Sequence, residues 1–567
     1  MNRKEQRRFN KLSRPPRASG HGSAAPARPA EGADELLQQG FTCLGAGLFQ
    51  DAQRLGQQVL AFETKNPEAL NLCGIAAFQL GHPHQGLEQL QAAVRFKPDY
   101  AEGYNNLGNM LKAVGEAAEA EAAYRRSLEI NPDYFDAYYN LAILLEVVGR
   151  LDEAEAAYRR AGDIKPDFEE VHFNLGNVLK AASKLEQAAI EYRRTVDMVP
   201  DHADAHNNLG SVLHELGQFD EATERYRRAL EIAPAHAPAH YNLGITLQEL
   251  GKFDEAIAAY QHALEHKPDY GEAHINLGYA LQRSGKLDAA IAAYQRAIEI
   301  EPHNAQVHAN LGDALLARGD PRAAVEICDD YLKTHAGNTG VLAFKTVALN
   351  ELGDREATQF LVDFERLIRR VQITVPQGYA SLKDFNTALA HYVSKHPTLV
   401  AAPTSHATRY GQHSGELLTE SKGAIAMLEM AIRGAVEEYR QSLSCEPGHP
   451  FVANPPRRFA LTAWGVVMQS QGHQIAHNHP SAWLSGVYYV ELPDVVTGAD
   501  RSHEGWIEFG RPPEHFHCKA APQVKLIQPE EGTMLLFPSY FYHRTVSFQS
   551  TQRRISIAFD VLPLPED

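Results

Sequence analysis

The sequence is poor in cysteine, in tryptophan and in long apolar runs. Five Cys are scattered over 567 residues, and an odd, dispersed set argues against a disulfide framework and against a zinc site made of thiolates. No stretch approaches the ~18 consecutive apolar residues of a membrane helix, and the first residues lack the apolar segment of a signal peptide. These absences predict a soluble, cytoplasmic protein with no membrane partner.

Histidine is abundant, and the charge is unevenly distributed. There are 27 His against 7 Met and 3 Trp, and the net charge is −17. Residues 1–32 carry eight Lys or Arg and two Glu, so the rest of the chain carries −23. A basic tail rich in Pro, Ala and Gly is predicted to be disordered, and its partner can be nucleic acid or an acidic molecule. The body repels phosphate backbones, so no nucleic acid is expected there.

Residues 101–338 consist of seven copies of a 34-residue unit. The seventh position is always Leu and the twentieth always Ala, while the twenty-fourth is Tyr and the thirty-second Pro in six copies. A small Ala lets two helices approach, Tyr fills the gap between them, and Pro ends the second helix. The pattern resembles the tetratricopeptide repeat. With two looser copies before residue 101, it predicts about nine repeats over residues 33–338, stacked as an all-α superhelix.

Two polar columns recur within the repeats. The fourth position is His in five copies, but like positions of successive units lie at least ~10 Å apart, too far to share an ion through bonds of ~2 Å. We therefore interpret these rings as packing residues. The sixth position is Asn in every copy: Asn106, Asn140, Asn174, Asn208, Asn242, Asn276 and Asn310. An amide ladder suits an extended peptide, and the array resembles that of O-GlcNAc transferase; hydrogen bonds between adjacent repeats are the alternative.

The repeat pattern ends near Asn338, after which the chain changes from helices to strands. Residues 339–370 and 417–442 have a helical pattern, so we assign residues 339–455 to capping helices and a connector. From residue 456, seven short segments with apolar alternation are separated by Gly, Pro and Asp. Such segments are typical of an all-β sandwich or barrel. Residues 456–567 are therefore predicted to form a β domain.

Three histidines and an arginine are placed where this domain can hold a metal ion. His477 and His479 are two residues apart, so their side chains point the same way on an extended chain. His543 follows a later strand, and Arg554 opens the last one. This order, in QGHQIAHNHPSAWLSGVYYV, GTMLLFPSYFYHRTV and RRISIAFD, resembles the Fe(II)/2-oxoglutarate-dependent dioxygenases. The resemblance implies a double-stranded β-helix, or jelly roll.

The resemblance also implies how the site works. His477 and His543 would bind Fe(II), with O2 as the oxidant. Arg554 would pair with the far carboxylate of 2-oxoglutarate, which a guanidinium fork suits, and Ser556 and Tyr489 would bond to the same group. The implied activity is a hydroxylation, with the repeats recruiting a protein or peptide substrate or partner.

One position departs from the family motif. His479 stands where the motif has Asp, so three neutral imidazoles would replace two imidazoles and a carboxylate. Either His479 is the third ligand, or Glu508 or Asp560 supplies the acid. The departure motivates an alternative function, a repeat scaffold with a degenerate, inactive oxygenase domain. In another alternative, the repeats serve assembly alone and the oxygenase domain acts on a small molecule. A glycosyltransferase is disfavoured, because the remaining 229 residues do not provide two large α/β lobes.

Overall fold

The computed structural model describes residues 29–402, 407–419, 422–443, 448–453, 455–498 and 503–565. Residues 1–28 of the predicted basic tail lie outside the described residues. The chain divides into two compact units, Met1–Leu250 and Gly251–Asp567. Within the described ranges, no helix is both long enough and apolar enough to cross a membrane.

The described part of the first unit consists of helices joined by short turns. Its helices are α1 (Pro29–Gly45), α2 (Phe49–Phe62), α3 (Pro67–Gln79), α4 (Pro83–Phe96), α5 (Ala101–Val114), α6 (Ala117–Ile130), α7 (Phe135–Val147), α8 (Leu151–Ile164), α9 (Glu169–Ala181), α10 (Leu185–Met198), α11 (Ala203–Glu215), α12 (Phe219–Ile232) and α13 (Ala237–Glu249). From α5 onward, each full 34-residue copy in this unit supplies one helix pair. Gly115, which ends α5, has a φ of 93°, a left-handed conformation that favours glycine.

Within a repeat, a buried tyrosine ring packs against a glycine on the other helix. Tyr124 and Tyr192 are fully buried. A Cβ built on Gly108 would lie 2.6 Å from the Tyr124 ring, and one on Gly176 would lie 2.7 Å from the Tyr192 ring. At Gly108 and Gly176, a larger side chain would therefore clash with the tyrosine ring unless the two helices moved apart.

The second unit contains further repeat helices, the helices that follow them, and a sheet. Its helices are α14 (Phe253–His266), α15 (Gly271–Arg283), α16 (Leu287–Ile300), α17 (Ala305–Arg318), α18 (Pro321–Thr334), α19 (Thr339–Leu352), α20 (Arg355–Leu361), α21 (Phe364–Leu367), α22 (Leu382–Lys395), α23 (Ala424–Ser442) and α24 (Asp494–Thr497). Its strands are β1 (Arg369–Gln372), β2 (Val400–Ala401), β3 (Thr408–His413), β4 (Phe459–His477), β5 (Leu484–Glu491), β6 (Ile507–Phe509), β7 (Lys525–Ile527), β8 (Thr533–Pro538), β9 (His543–Thr545) and β10 (Arg554–Pro563).

The strands form one curled sheet in the order β1-β8-β5-β10-β4-β9-β6-β7, and β3 joins β2 to β4. All the strand pairs are antiparallel. The predicted fold class, tetratricopeptide repeats followed by a jelly roll, is confirmed, and each of the seven predicted segments contains a strand.

Two local helix predictions differ from the structure. The sequence pattern predicts helix as far as residue 370, but Arg369–Gln372 form β1, whose backbone pairs with β8 at the edge of the sheet. Pairing with a distant strand overrides the local pattern here. The second predicted helix, residues 417–442, begins only at Ala424.

Strand β10 lies at the centre of the sheet, between β5 and β4. Its Ile555, Ile557, Phe559 and Val561 are fully buried. Because side chains alternate along a strand, the other residues of β10, which begins at Arg554, face the opposite side. That second face contributes to the site described next.

Candidate metal centre and anion site

Three histidines predicted from the sequence meet in the second unit. His477 ends β4 and lies opposite His543, the first residue of β9. His479 follows two residues after His477. One ring nitrogen from each residue lies within 4.8 Å of the others, a separation at which the three can share one ion.

Hydrogen bonds fix the orientation of all three rings. Nδ1 of His477 lies 2.8 Å from the Ile475 carbonyl oxygen, and Nδ1 of His543 lies 3.0 Å from that of Phe541. Nδ1 of His479 lies 2.7 Å and 2.8 Å from the two carboxylate oxygens of Asp560. These oxygens only accept, so each Nδ1 donates, and each Nε2 is left as the atom available to a metal.

The surroundings keep two of these rings neutral. Burial, together with the neighbouring His479, lowers the pKa of His477 to about 4. Burial and the other two rings lower the pKa of His543 well below its usual range. Neutral imidazole is the form that binds metal ions, so His477 and His543 do not require deprotonation at neutral pH.

Arg554 is buried in the same domain, with an exposed fraction of 2%. Its guanidinium lies 5.3 Å from the centre of the Tyr489 ring and donates to Ser556 Oγ over 3.3 Å. Neither Arg554 Nε nor the Tyr489 hydroxyl has a hydrogen-bond partner among the described residues. Burial lowers the pKa of Arg554 and raises that of Tyr489 to about 12, so Tyr489 stays a neutral donor. A buried cation with unpaired donors fits an anionic ligand.

One cavity joins the histidines to the arginine. It has a volume of about 200 Å³. Its lining includes all six predicted site residues of the β domain: His477, His479, Tyr489, His543, Arg554 and Ser556. The structure thus brings together the metal-ligand candidates and the carboxylate-binding candidates, although they are spread over 80 residues of sequence.

Two parts of the chain match sequence models of known families. Residues 462–560 match a model described as "Putative 2OG-Fe(II) oxygenase". Tetratricopeptide-repeat models match residues 73–135, 111–175, 168–235, 201–269, 241–305 and 281–346. The chain thus combines tetratricopeptide repeats with a segment, residues 462–560, that is similar to the 2OG-Fe(II) oxygenase family. Both family resemblances are confirmed, while the likeness to the repeats of O-GlcNAc transferase stays a prediction.

Individual relatives match parts of the chain. The Hsp70-Hsp90 organizing protein of Triticum aestivum is 30% identical over 96 residues, which is 17% of this chain and only 16% of that protein. Among solved structures, YrrB, described as "a TPR protein with an unusual peptide-binding site", is 26% identical over 33% of this chain and 96% of its own, with a TM-score of 0.31. The APC/C hetero-tetramer Cut9-Hcn1 is 19% identical over 50% of this chain and 56% of its own, with a TM-score of 0.33.

The two acids considered for the oxygenase domain have different surroundings. Glu508 is buried, but it accepts hydrogen bonds from Arg511 and Arg544. Asp560 instead accepts from His479 and, over 2.6 Å, from Ser485 Oγ. Only Asp560 of the two therefore contacts a metal-ligand candidate.

The oxygenase cavity has further walls that the sequence did not single out. Trp464 stacks on His479 at 5.7 Å and on His413 at 5.9 Å. On another wall, Thr545 Oγ1 donates to Gln474 Oε1 over 3.1 Å. These contacts join residues of different strands, so they depend on how the strands pair in the folded sheet.

The asparagine column forms hydrogen bonds between adjacent repeats in the first unit. Asn106 donates to Asn71, Asn140 to Asn105, Asn174 to the Tyr139 hydroxyl, Asn208 to Asn177 and Asn242 to Asn207. In the second unit, Asn310 accepts from Gln306, and Asn276 is half-exposed. These contacts support the structural alternative for the column, and Asn106, Asn140 and Asn174 are buried.

The histidine column also has a local partner. Nε2 of His206, His240 and His274 lies within 2.9–3.1 Å of the carbonyl oxygen of the proline six residues earlier. Each ring therefore ties the start of its repeat to the end of the preceding one, which supports the packing interpretation.

Proposed function

We propose that this protein is an Fe(II)- and 2-oxoglutarate-dependent dioxygenase that hydroxylates its substrate. The observation that carries the proposal is the single cavity in which three imidazoles and a buried, incompletely paired guanidinium meet. Nitrogen donors from imidazole suit Fe(II), and three protein ligands leave coordination positions open.

The histidines would hold the iron, and each ring has a fixed role. His477 and His543 reach it from adjacent strands whose pairing sets their separation, and His479 completes the set. Bound iron would supply the chemistry by which O2 oxidises 2-oxoglutarate to succinate and CO2 and a substrate C–H bond is hydroxylated. The chain's part is to orient the three rings and to keep those of His477 and His543 neutral.

Arg554 would bind the far carboxylate of 2-oxoglutarate. Its unpaired Nε and the rest of its planar fork can make two parallel hydrogen bonds to a carboxylate. The Tyr489 hydroxyl, which also has no partner among the described residues, would donate to the same group, and Ser556 would hold the guanidinium in place. The apolar walls Val487 and Phe537 would exclude water from this end of the cavity.

The repeats would recruit a protein or peptide substrate or partner. Concave surfaces of stacked helix pairs commonly bind extended chains, and the half-buried amides of the column, those of Asn208, Asn242, Asn276 and Asn310, suit a peptide backbone. We also propose a cytoplasmic location. It is supported by the free thiols of the four cysteines described, which are Cys43, Cys73, Cys328 and Cys518.

Succinate release tests this proposal. Purified full-length protein is supplied with Fe(II), 2-oxoglutarate and O2, and succinate is measured for the unsubstituted chain, for His543→Ala and for the control His396→Ala. His396 hydrogen-bonds to Thr398 and does not line the cavity. We expect His543→Ala to lose turnover and His396→Ala to keep it.

The second candidate is a repeat scaffold with an inactive oxygenase domain, and His479 in place of the motif's Asp favours it. Equal succinate release by the unsubstituted chain and by His543→Ala, together with no Fe(II) binding at neutral pH, would establish that candidate instead.

A further inference from the structure

We propose that Asp560 is the carboxylate of this metal centre, acting through His479 and not on the ion itself. Asp560 is thus a positioning residue, and the inference rests on the proposed function of the site as an iron centre. It would explain how a cavity without the motif's Asp can still hold a divalent cation.

The contact between the two side chains is close and doubly supported. Both carboxylate oxygens of Asp560 lie within 2.8 Å of His479 Nδ1. Ser485, which lies opposite Asp560 in the register of β5 and β10, donates its hydroxyl to Oδ1 over 2.6 Å. Both His479 and Asp560 are about 15% exposed at most, so water competes little with the pair.

The geometry places Asp560 behind the His479 ring, so its carboxylate does not coordinate the ion directly. The carboxylate occupies the Nδ1 side of His479, while the ligand atom is Nε2 on the other side. The imidazole therefore stands between the carboxylate and the ion. Trp464 stacks on the His479 ring at an interplanar angle of 21°. This contact fixes the plane of the imidazole that lies between Asp560 and the ion.

His479 differs in this respect from the other two ligands. His477 and His543 donate to neutral backbone carbonyls, whereas His479 donates to a carboxylate. An anionic acceptor on Nδ1 makes Nε2 a stronger donor to a metal and fixes the tautomer. The negative charge that the family motif places on the ion is thus retained in the site, one ring further away.

Strand β10 also links the two halves of the cavity. Arg554, Ser556 and Asp560 share one face because side chains alternate along a strand, and all lie on the strand whose other face is core. A single strand therefore carries both the cation for the cosubstrate and the anion behind the metal ligand.

Metal binding by the full-length chain tests the inference. Co(II), an oxygen-stable probe, is titrated against a competing chelator while the visible absorption of the bound ion is recorded. We expect Asp560→Ala to weaken Co(II) binding about 10–100-fold, and Asp560→Asn, which keeps an acceptor but loses the charge, to weaken it less. The matched control is Glu491→Gln, because Glu491 pairs with Arg553 outside the cavity.

A pair of substitutions at His479 sharpens the test. His479→Asp alone would restore the family motif but place a second carboxylate beside Asp560, and like charges at this distance destabilise each other. We therefore expect His479→Asp to bind Co(II) poorly and His479→Asp with Asp560→Asn to bind it at least tenfold more tightly. If the Asp560 carboxylate did not influence the third ligand position, no such rescue would be seen.

Each result bears on the inference. Unchanged affinity and absorption in both Asp560 variants would overturn it while leaving the proposed function intact. If Asp560→Ala does not fold, the double variant decides, and binding no tighter than that of His479→Asp would overturn the inference. Failure of the unsubstituted chain to bind Co(II) would instead contradict the proposed function, and the inference with it.

Discussion

Arg553 and Arg554 are neighbours in sequence with opposite surroundings. Arg554 is buried in the cavity, whereas Arg553 pairs with Glu491 and Ser394 at the surface. We expect Arg554→Lys to weaken 2-oxoglutarate binding about tenfold or more, because an ammonium cannot make the two parallel hydrogen bonds of a guanidinium. Calorimetric titration with 2-oxoglutarate measures the loss. Arg553→Lys is the matched control, and an equal loss in both variants would contradict the role given to Arg554.

In the ligand-free protein, the same arginine should lower the free energy of unfolding. A buried charge whose donors are not all paired costs free energy, and Arg554 Nε has no partner among the described residues. We expect Arg554→Met to raise the free energy of unfolding of the oxygenase domain by about 1–3 kcal/mol while abolishing 2-oxoglutarate binding. Thermal unfolding without ligand checks this, and a lower melting temperature for Arg554→Met would show that the guanidinium is already satisfied.

At the scale of elements, one repeat should respond to pH differently from its neighbours. In α9, His172 Nδ1 lies 2.7 Å from Glu191 of α10, and this carboxylate raises the pKa of His172. In the equivalent position of the next repeat, burial lowers the pKa of His206. A raised pKa means that the stabilisation by His172 is complete below its unfolded pKa of ~6.5 and is lost as pH rises through the folded value.

Replacing Glu191 therefore tests a pH-dependent contact between two helices. We expect Glu191→Gln to lower the free energy of unfolding of the repeats by about 1 kcal/mol near pH 6, and by less at pH 8.5. Urea unfolding at both pH values measures the change. Glu186→Gln, an exposed substitution on the same helix, is the control. A loss that grows between pH 6 and 8.5 would contradict the assignment.

Periodic features of these elements could be predicted from the sequence, whereas contacts between strands could not. The 34-residue period and the alternation of apolar residues gave the repeats and the seven strands, because each pattern is local. The site could be predicted because its residues are spaced as in the motif of a known family: His477, His479, His543 and Arg554. The role proposed for Asp560 depends on the register that sets it beside Ser485, and a register is fixed only by the folded sheet.

At the scale of the whole molecule, the jelly roll depends on chain outside residues 456–567. β1 adds a strand to β8. Two buried tyrosine hydroxyls of this segment also reach back along the chain: Tyr488 donates to Asn386 and Tyr540 to the Leu361 carbonyl. Without those acceptors the two buried hydroxyls would be left unsatisfied, at a cost of about 1–3 kcal/mol each.

The last repeat pair and the first helix after the repeats are joined to the oxygenase domain within the second unit. Asp313 of α17 accepts hydrogen bonds from the backbone N–H and Nδ1 of His517, and Glu351 of α19 accepts from the backbone N–H groups of Lys519 and Ala520. The loop between β6 and β7 is thereby held by α17 and α19, and β6 pairs directly with the strand of His543.

A truncation series should therefore show that the part of the chain that folds independently is larger than the predicted β domain, residues 456–567. We expect residues 251–567, which include every contact just described, to fold and to bind Co(II) within about threefold of the full chain, a difference of less than 1 kcal/mol. Residues 456–567 alone should fail to give a cooperative unfolding transition, because the sheet loses β1, β3 and the acceptors of its buried hydroxyls. Calorimetry and Co(II) titration of both fragments measure this. Tight Co(II) binding by residues 456–567 would show that the jelly roll is independent of the helices before it.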